Sequence, residues 1–228
     1  MPISTKAWDN LSGKFDTYRP KAFVGAIDNM LAVWPEILKF VKKRFKNPKG
    51  LRALEYGCGV GMFCGELKKS GFDIIGVDIS PKMINTAKRH LGKKILFLVG
   101  DGKTVLETAK KQGQFSLISA IMVFQFIKDI KACLTQLKNS LKKGGYIIFA
   151  VHNPKFLAIR KITNRLNLVR TKIFVPIHPK NVKDYDKIFT ALGFKKILEK
   201  HLYPSKSFRK IYPPKTPKYL LLAYKKLK

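Results

Sequence analysis

The sequence predicts an α/β fold with a doubly wound, mostly parallel sheet, and two observations carry that prediction. From Leu51 onward, short runs rich in β-branched residues alternate with stretches of helical spacing, which is the pattern of repeated strand–helix–strand units. The first strand-like run ends in a glycine loop, Gly57-Cys58-Gly59-Val60-Gly61. Glycines allow a tight turn and let a ligand approach the backbone, so this loop predicts a nucleotide-type ligand.

Five strands and their connecting helices are predicted along residues 51–151. The strands are Leu51–Tyr56, Asp73–Val77, Ile95–Val99, Phe115–Met122 and Tyr146–Val151. The helices are a stretch that runs through Lys69 and closes at Gly71, then Lys82–Leu91, Lys103–Lys111 and Ile130–Lys142. Ser80-Pro81 marks a helix start, because serine caps helices and proline suits the first helical position. The largely apolar run Phe115–Met122 predicts a buried central strand.

The flanking segments are predicted to complete one domain. Residues 1–50 are expected to form a helical N-terminal cap, with helices over Lys21–Leu31 and Pro35–Phe45. Residues 51–228 form the main domain, in which 155–180 are a lid-like insertion with a basic helix and a strand-like Lys172–Val175. A helix Val182–Leu192 and the strands Phe194–His201 and Tyr219–Tyr224 bring the sheet to seven strands. The connection Tyr203–Lys218 contains four prolines and is predicted to be extended and exposed.

The formal net charge of +32 is the most unusual feature of the composition. Such a charge favours an anionic partner such as nucleic acid, since basic residues neutralise phosphates. The 46 basic residues, however, comprise 38 Lys and only 8 Arg, the residue that grips phosphate bidentately. Many lysines come in pairs, which suit solvated helix ends. Two interpretations of the charge are therefore possible. The lysines form a basic face for an anionic partner, or they reflect a lysine-rich composition with no such role.

Composition also favours a cytoplasmic protein. No run of 18 apolar residues occurs, so no transmembrane helix is expected. Asp9, Asn10 and Asp16 stand where a secretory signal peptide would be apolar, which argues against one. The cysteines Cys58, Cys64 and Cys133 show no metal-ligand spacing, so no metal site is predicted and a reducing compartment is the simplest interpretation.

Acidic residues are predicted at the ends of three successive strands, where open α/β sheets bind ligands. Glu55 precedes the glycine loop and suits a cationic sulfonium or ammonium group better than a phosphate. Asp78 ends the second strand and can accept hydrogen bonds from both ribose hydroxyls, a role that would serve a nicotinamide cofactor equally. Asp101, in Gly100-Asp101-Gly102, can accept from an adenine amino group, or it can simply cap a helix.

Five segments resemble, in order and spacing, the motif series of the class I (Rossmann-like) S-adenosylmethionine-dependent methyltransferases. They are Leu54–Phe63, Gly76–Ser80, Val99–Gly102, Phe115–Met122 with Phe124-Gln125-Phe126 after it, and Leu141–Phe149. The closest resemblance is to the small-molecule, type 11-like branch, which includes ubiquinone and sterol methyltransferases, and it covers about residues 51–151. It implies a Rossmann-like sheet of seven strands, mostly parallel, with an antiparallel last strand.

The resemblance also implies the cofactor S-adenosylmethionine, the product S-adenosylhomocysteine and a role for individual residues. Glu55, Gly57 and Gly59 would contact the methionine part, with Cys58 and Gly61 in the same loop, Asp78 the ribose, Ile79 and Met83 the adenine face, and Asp101 and Gly102 the adenine edge. Ile121 and Phe126 would line the place where donor and acceptor meet, and Tyr18 and Arg19 could close over the cofactor.

The acceptor chemistry is less closely defined by the sequence. A general base is needed only if the acceptor must lose a proton, and His152, directly after the fifth strand, is the best-placed candidate. The alternative is a structural histidine beside Asn153-Pro154. Val123-Phe124-Gln125-Phe126 contains neither an Asn/Asp-Pro-Pro-aromatic run nor a nucleophilic cysteine, which argues against methylation of adenine amino groups or cytosine C5.

Methyl transfer to an O, N or C atom of a small molecule is therefore the leading hypothesis. An RNA or tRNA methyltransferase that uses the lysine-rich surface is the second. A non-catalytic binding protein with this fold and a nicotinamide-dependent oxidoreductase are the remaining alternatives.

Overall fold

The computed structural model describes residues 5–15, 24–167, 174–209 and 216–227. The helices are α1 (Thr5–Phe15), α2 (Val24–Ala32), α3 (Trp34–Arg44), α4 (Met62–Lys69), α5 (Pro81–Leu91), α6 (Gly102–Gln112), α7 (Ile130–Ser140), α8 (Pro154–Ile159) and α9 (Val182–Ala191). The strands are β1 (Arg52–Tyr56), β2 (Asp73–Asp78), β3 (Leu96–Val99), β4 (Phe115–Ile121), β5 (Leu141–His152), β6 (Arg165–Asn167), β7 (Phe174–Pro176), β8 (Phe194–Leu202) and β9 (Tyr219–Lys226).

A seven-stranded sheet in the order β3-β2-β1-β4-β5-β9-β8 forms the centre of the molecule. The strands β1 to β5 are parallel to one another, whereas β9 is antiparallel to both β5 and β8. The predicted mostly parallel sheet with an antiparallel last strand is therefore confirmed. The strand order reverses between β1 and β4, and in open sheets of this kind the carboxyl ends of the strands at the reversal form the ligand crevice.

Burial on both faces explains why the central strands contain so few polar residues. Every residue of β4 from Phe115 to Ala120 is buried, as the apolar run predicted. On one side, Phe149 of β5 stacks on Phe189 of α9 and on Tyr224 of β9, with ring centroids 5.6 and 6.1 Å away. On the other side, α3, α4 and α5 cover β1 and β2 with apolar side chains. The helices thus hold the carboxyl ends of β1, β2, β4 and β5 in fixed positions.

The helix boundaries follow the predicted capping residues with one clear exception. Ser80 caps α5, its side chain accepting from the Met83 backbone N–H at 3.2 Å, and Pro81 is the first helical residue, as predicted. The helix expected to reach Lys142 ends instead at Ser140, and β5 begins at Leu141 rather than Tyr146. The reason lies in β9, where Lys226 Nζ donates to the carbonyls of Lys138 and Leu141 at 2.9 and 2.6 Å and so ends the helix.

The N-terminal segment contains more helix than the sequence predicted. The two expected helices are present as α2 and α3, but α1 was not predicted. Its apolar residues Ala7, Trp8 and Leu11 pack onto α5 and the insertion, and this tertiary packing stabilises a short helix that lacks strong sequence signals. Tyr18 and Arg19 lie outside the described residues.

The segment predicted to be a lid-like insertion contains α8 and a two-stranded antiparallel hairpin of β6 and β7. Leu157, Val175 and Ile177 of this segment form an apolar cluster with Leu11 of α1 and Met83 of α5. The predicted strand at 172–175 is described from Phe174 onward. The division into a cap, a main domain and a lid stays a prediction.

The prolines of the connection after β8 predicted an extended and exposed segment, but its described part is neither fully extended nor fully exposed. Lys206–Phe208 forms a 3-10 turn, and Pro204 is buried. The cause is a long-range contact, because the Ser205 backbone N–H donates to the Asp28 carboxylate of α2 at 2.8 Å. In the described part of the chain, no helix combines the length and the apolar character that a membrane span requires.

Candidate functional site

The glycine loop that follows β1 adopts a backbone conformation that favours glycine. Gly57, Gly59 and Gly61 have φ angles of +73°, +54° and +80°, in the left-handed region that side chains with a Cβ disfavour. The N–H groups of Gly57 and Cys58 donate to the Val77 carbonyl of β2 at 2.7 and 3.0 Å. The loop is therefore fixed against the neighbouring strand before any ligand binds.

The glycines of the loop differ in what surrounds them. A Cβ at Gly57 would overlap the side chain of Val123, and one at Gly61 would lie 2.7 Å from the Phe97 ring. A Cβ at Gly59 would meet no atom within 4 Å. Gly57 and Gly61 are thus required for packing, whereas Gly59 presents its backbone to open space and is the glycine that a ligand can approach.

Asp78, at the end of β2, is bound to the same loop. Its Oδ2 accepts from the Gly59 N–H at 2.8 Å, and its Oδ1 accepts from the Ser80 N–H at 2.9 Å. Burial raises the pKa of this carboxyl above its ordinary value, although the backbone hydrogen bonds oppose the rise. Each carboxylate oxygen retains a lone pair beyond these bonds, so Asp78 can still accept from two hydroxyls of a ribose.

Asp101 has the helix-capping role that the sequence left open as an alternative, and Gly102 has a role in helix packing. The Asp101 carboxylate caps α6 by accepting from the N–H groups of Lys103 and Thr104, and the side chain of Thr104 completes a capping box. A Cβ at Gly102 would overlap the Gln136 side chain, so this glycine allows α6 and α7 to pack closely. Contact of Asp101 and Gly102 with an adenine edge stays a prediction.

The wall next to Asp78 is apolar and is covered by α1. Met83 of α5 is 3% exposed and clusters with Val60 of the loop and with Phe126, while Ile79 is half-buried. Asp9 of α1 anchors this cover, since its Oδ1 accepts from Ser80 Oγ at 2.6 Å and from the Lys82 N–H at 3.2 Å. A flat apolar group bound beside Asp78 would be shielded from water there.

Glu55 lies below the loop, inside the sheet. It is 3% exposed, and Ser119 Oγ lies 3.4 Å from its carboxylate. Burial raises the pKa of the Glu55 carboxyl well above its ordinary value. Burial likewise raises the pKa of the Cys58 thiol, which disfavours a nucleophilic thiolate. Among the described residues, Ser119 is the polar side chain in contact with the Glu55 carboxyl, and a cationic group that reached this carboxyl would favour its ionised form.

Acidic groups gather at this edge of a very basic chain. Only 14 of its residues are acidic, yet Asp9, Glu55, Asp78 and Asp101 all lie around the loop. The carboxylates of Asp9, Asp78 and Asp101 would repel a pyrophosphate, whereas they would attract an amino-acid ammonium or a sulfonium. The site therefore favours a nucleoside with a cationic tail over a dinucleotide.

On the other side of the strand reversal, Ile121 ends β4 and is half-buried, and Met122 after it has a φ of +60°. This left-handed conformation is unfavourable for a residue with a side chain, and strain of this kind concentrates at functional sites. The 3-10 turn Phe124–Phe126 follows, and Phe126 packs edge-on against Trp8 of α1 with ring centroids 5.1 Å apart. Ile121 and Phe126 thus come to the same edge as the glycine loop.

His152 ends β5 at this edge, and its partner Gln125 was not predicted as a site residue. Gln125 Oε1 accepts from the His152 backbone N–H at 2.8 Å and lies 3.2 Å from His152 Nδ1. Burial lowers the pKa of His152 to about 3, with a further contribution from Lys218. A polar residue between two phenylalanines was the only signal for Gln125 in the sequence. The neutral, hydrogen-bonded state of His152 fits the structural alternative and leaves its chemical role a prediction.

Comparisons with known proteins agree that the chain is similar to methyltransferases. The model of a methyltransferase domain family matches residues 29–199. A ubiquinone biosynthesis O-methyltransferase of Rhodopseudomonas palustris (strain BisB18) is 29% identical over 157 residues, which are 69% of this chain and 58% of that protein. A protein with the same description from Bradyrhizobium diazoefficiens is 27% identical over 75% of this chain and 66% of its own length. The chain thus spans about three fifths of the length of such relatives.

Solved structures share the fold. A methyltransferase described as S-adenosylmethionine-dependent, from Anabaena variabilis, aligns with a TM-score of 0.71 at 18% identity, over 97% of this chain and 94% of that one. The magnesium protoporphyrin IX methyltransferase of Synechocystis, solved with bound S-adenosylmethionine, aligns with a TM-score of 0.59 at 17% identity, over 85% of this chain and 77% of that one. At these identities the likeness concerns the fold alone.

Proposed function

The chain belongs to the class I methyltransferase family, and we propose that it transfers a methyl group from S-adenosylmethionine to a small-molecule acceptor. One observation carries the proposal: the acidic groups around the glycine loop suit a cofactor with a ribose and cationic groups. We place this activity in the cytoplasm, consistent with free cysteines in the described residues.

The residues of the site fit S-adenosylmethionine in the following way. Asp78 would accept from the ribose hydroxyls while it holds Gly59, and the open backbone at Gly59 would border the methionine part. Ile79 and Met83 would pack on the adenine face below α1. Glu55, which burial disposes to the neutral form, would accept a hydrogen bond from the ammonium group, whose charge would favour ionisation of the carboxyl. Asp101 and Gly102 would border the adenine edge. The bound cofactor supplies an electrophilic methyl group, and the protein contributes orientation and exclusion of water.

A small acceptor is supported by the cover over the site. Helix α1 and the segment of α8, β6 and β7 close over the edge with an apolar cluster that includes Leu11, Phe126 and Val175. The R. palustris and B. diazoefficiens proteins are named as O-methyltransferases of ubiquinone biosynthesis, which supports a small-molecule acceptor, rather than a nucleic acid, for this chain as well. No contact in the described residues favours RNA at this edge, where the carboxylates would repel a phosphate backbone.

A cofactor panel tests the proposal directly. We expect S-adenosylmethionine and S-adenosylhomocysteine to bind saturably in calorimetry and to raise the melting temperature, because a ligand that binds only the folded state stabilises it. NADH and NADPH serve as the comparison. Stabilisation by either dinucleotide, with no response to S-adenosylmethionine or S-adenosylhomocysteine, would overturn the proposal in favour of an oxidoreductase.

We expect Gly59→Ala to weaken S-adenosylmethionine binding by roughly tenfold or more while the protein stays folded. The new Cβ meets no protein atom, so the strain of a left-handed alanine, about 1–2 kcal/mol, is its main effect on stability. Gly50→Ala is the matched control, since Gly50 has a φ of +76°, open surroundings and a position away from the site. Calorimetry measures both variants. An equal loss of affinity in the two would mean that Gly59 does not border the cofactor.

A further inference from the structure

The hydrogen bonds of Gln125 determine that Nδ1 of the His152 ring carries a proton. A backbone N–H can only donate, so the Gln125 atom that lies 2.8 Å from the His152 nitrogen must be the amide oxygen. The same oxygen lies 3.2 Å from His152 Nδ1 and can only accept, which requires that Nδ1 carries a proton. The neutral ring therefore has its lone pair on Nε2.

The surroundings of the imidazole keep it neutral. The ring stacks against Tyr219 and Phe156, with centroids 5.8 and 6.4 Å away. Two charged groups face it: Lys218 at the start of β9, which opposes protonation, and Asp28 of α2, which favours it less strongly. Burial and Lys218 together lower the pKa to about 3. Among the described residues, none donates a hydrogen bond to the lone pair of Nε2.

The other end of the Gln125 amide lacks a partner. Gln125 is 2% exposed, and its Nε2 finds no hydrogen-bond acceptor among the described residues. A buried donor left unpaired costs about 1–3 kcal/mol. An oxygen of a bound molecule that reached Gln125 Nε2 would remove this cost, and the two groups left for such a molecule are the donor Gln125 Nε2 and the acceptor His152 Nε2.

Gln125 and His152 lie at the ends of β4 and β5, next to the proposed cofactor site, where an acceptor would bind. Gln125 follows β4 and His152 ends β5, and these adjacent parallel strands have their carboxyl ends at the same edge. The glycine loop and Asp78 lie across the strand reversal, at the ends of β1 and β2. A molecule that contacts Gln125 and His152 would therefore lie beside the cofactor rather than in its place.

We infer that Gln125 is a positioning residue that presents the Nε2 lone pair of His152 to a hydroxyl of the acceptor, and that the acceptor is a hydroxyl-bearing small molecule methylated on oxygen. This inference rests on the proposed methyltransferase function. A hydroxyl oxygen has two lone pairs, so it can accept from Gln125 Nε2, donate its proton to His152 Nε2 and still present a lone pair to the methyl group. A neutral amine nitrogen has a single lone pair and cannot do both, which selects oxygen among the O, N and C alternatives.

The transfer balances with these groups. The acceptor oxygen forms a bond to the methyl carbon while the bond from that carbon to sulfur breaks, and the bonding pair stays on sulfur, which becomes a neutral thioether. The hydroxyl proton passes to His152 Nε2 and then to water. A weakly basic histidine suffices, because an oxygen that gains a third bond becomes far more acidic than a free hydroxyl.

Nitrogen NMR of histidine-labelled protein tests the positioning role without a substrate. We expect His152 to be protonated on Nδ1 and to stay neutral from pH 8 to about pH 5, well above the acid range to which its lowered pKa points. His152→Asn assigns the signal. Gln125→Met should allow protonation on Nε2, whereas Gln125→Glu should keep Nδ1 protonated and raise the pKa by adding a carboxylate. An Nε2-protonated wild-type ring, or a Gln125→Met spectrum like wild type, would overturn the inference.

Activity measurements then test the acceptor class. The probes are 3,4-dihydroxybenzoate as a hydroxyl acceptor and phenethylamine as an amine acceptor, with release of S-adenosylhomocysteine as the readout. We expect turnover of the hydroxyl probe only, with kcat lowered roughly tenfold or more in Gln125→Met and partly restored in Gln125→Glu with an acid limb at higher pH. The affinity of both variants for S-adenosylmethionine should match wild type.

The outcomes separate this inference from the proposed function. Turnover of the amine probe alone would contradict methylation on oxygen while leaving methyl transfer intact. Absence of S-adenosylmethionine binding in wild type would overturn the proposed function itself. If wild type binds the cofactor but turns over neither probe, the hydroxyl proposal fails for aromatic acceptors of this size, and the NMR result decides the role of Gln125.

Discussion

Replacing Asp78 with alanine is expected to lower the affinity for S-adenosylmethionine by about a hundredfold or more. The carboxylate would make two hydrogen bonds to the ribose, and hydrogen bonds to charged groups contribute about 1.5–3 kcal/mol each. The substitution also frees the Gly59 N–H, which Asp78 holds at 2.8 Å, so the loop loses an anchor. Calorimetric titration of Asp78→Ala against wild type measures the effect.

Asp73→Ala is the matched control for this experiment. Asp73 begins the strand that Asp78 ends, and its side chain is 63% exposed in a surface ion pair with Lys68 at 3.5 Å. Exposed pairs of this kind contribute at most about 1 kcal/mol, and the control should bind the cofactor like wild type. Wild-type affinity in Asp78→Ala would show that the cofactor ribose lies elsewhere.

Replacing Asp28 with alanine is expected to lower the free energy of unfolding by about 3–5 kcal/mol, because a buried ammonium would lose its carboxylate. Asp28 is fully buried, and its Oδ2 accepts from Lys218 Nζ at 2.8 Å and from the Tyr219 hydroxyl at 2.6 Å. Its Oδ1 accepts from the Ser205 N–H. Urea unfolding at pH 7, followed by circular dichroism, measures the change.

A surface ion pair provides the control for Asp28. Glu36 of α3 pairs with Lys200 of β8, so it also ties the N-terminal helices to the sheet, but both side chains are partly exposed. Glu36→Ala should cost less than about 1 kcal/mol. A loss in Asp28→Ala as small as that in Glu36→Ala would show that the buried network contributes little to stability.

The contribution of Asp28 should also depend on pH. Burial by itself would raise the pKa of Asp28, but the hydrogen bonds from Lys218, Tyr219 and Ser205 lower it below its usual value. A carboxyl with a lower pKa in the folded state binds fewer protons there than in the unfolded state, so its stabilisation is present above the usual pKa. It is lost as the pH falls through the folded pKa. The stability difference between wild type and Asp28→Ala should therefore shrink below about pH 4.

The sequence predicted those parts of the fold that depend on local patterns. The strand–helix alternation from Leu51 and the cap at Ser80 each depend on residues close together in the chain, and the structure has both. The predicted end of α7 was wrong because Lys226, far along the chain, supplies the donor that ends the helix. Helix α1 was missed because its stability depends on contacts with α5 and the insertion rather than on its own residues.

The residues of the candidate site likewise include some that the sequence could predict and some that it could not. The glycine loop and Asp78 could be found from their order and spacing, since each ends a predicted strand. Gln125 could not be found, because its role comes from its contact with His152 across two neighbouring strands. The Asp28 network was equally hidden, since Asp28 and Lys218 are 190 positions apart. The sequence marks Gln125 only as a polar residue between Phe124 and Phe126 in an apolar run, which does not identify its partner.

The position of β9 in the sheet has a consequence for how the chain folds during synthesis. Because β9 lies between β5 and β8, the strand β8 has no partner in the sheet until Tyr219–Lys226 has left the ribosome. The parallel part from β1 to β5 can assemble first, as N-terminal segments generally do. The docking of α2 waits equally long, since its Asp28 binds Lys218 and Tyr219. A ribosome stalled before residue 218 would therefore hold a chain with one edge of its sheet unpaired, the state in which chaperones and proteases act on nascent proteins.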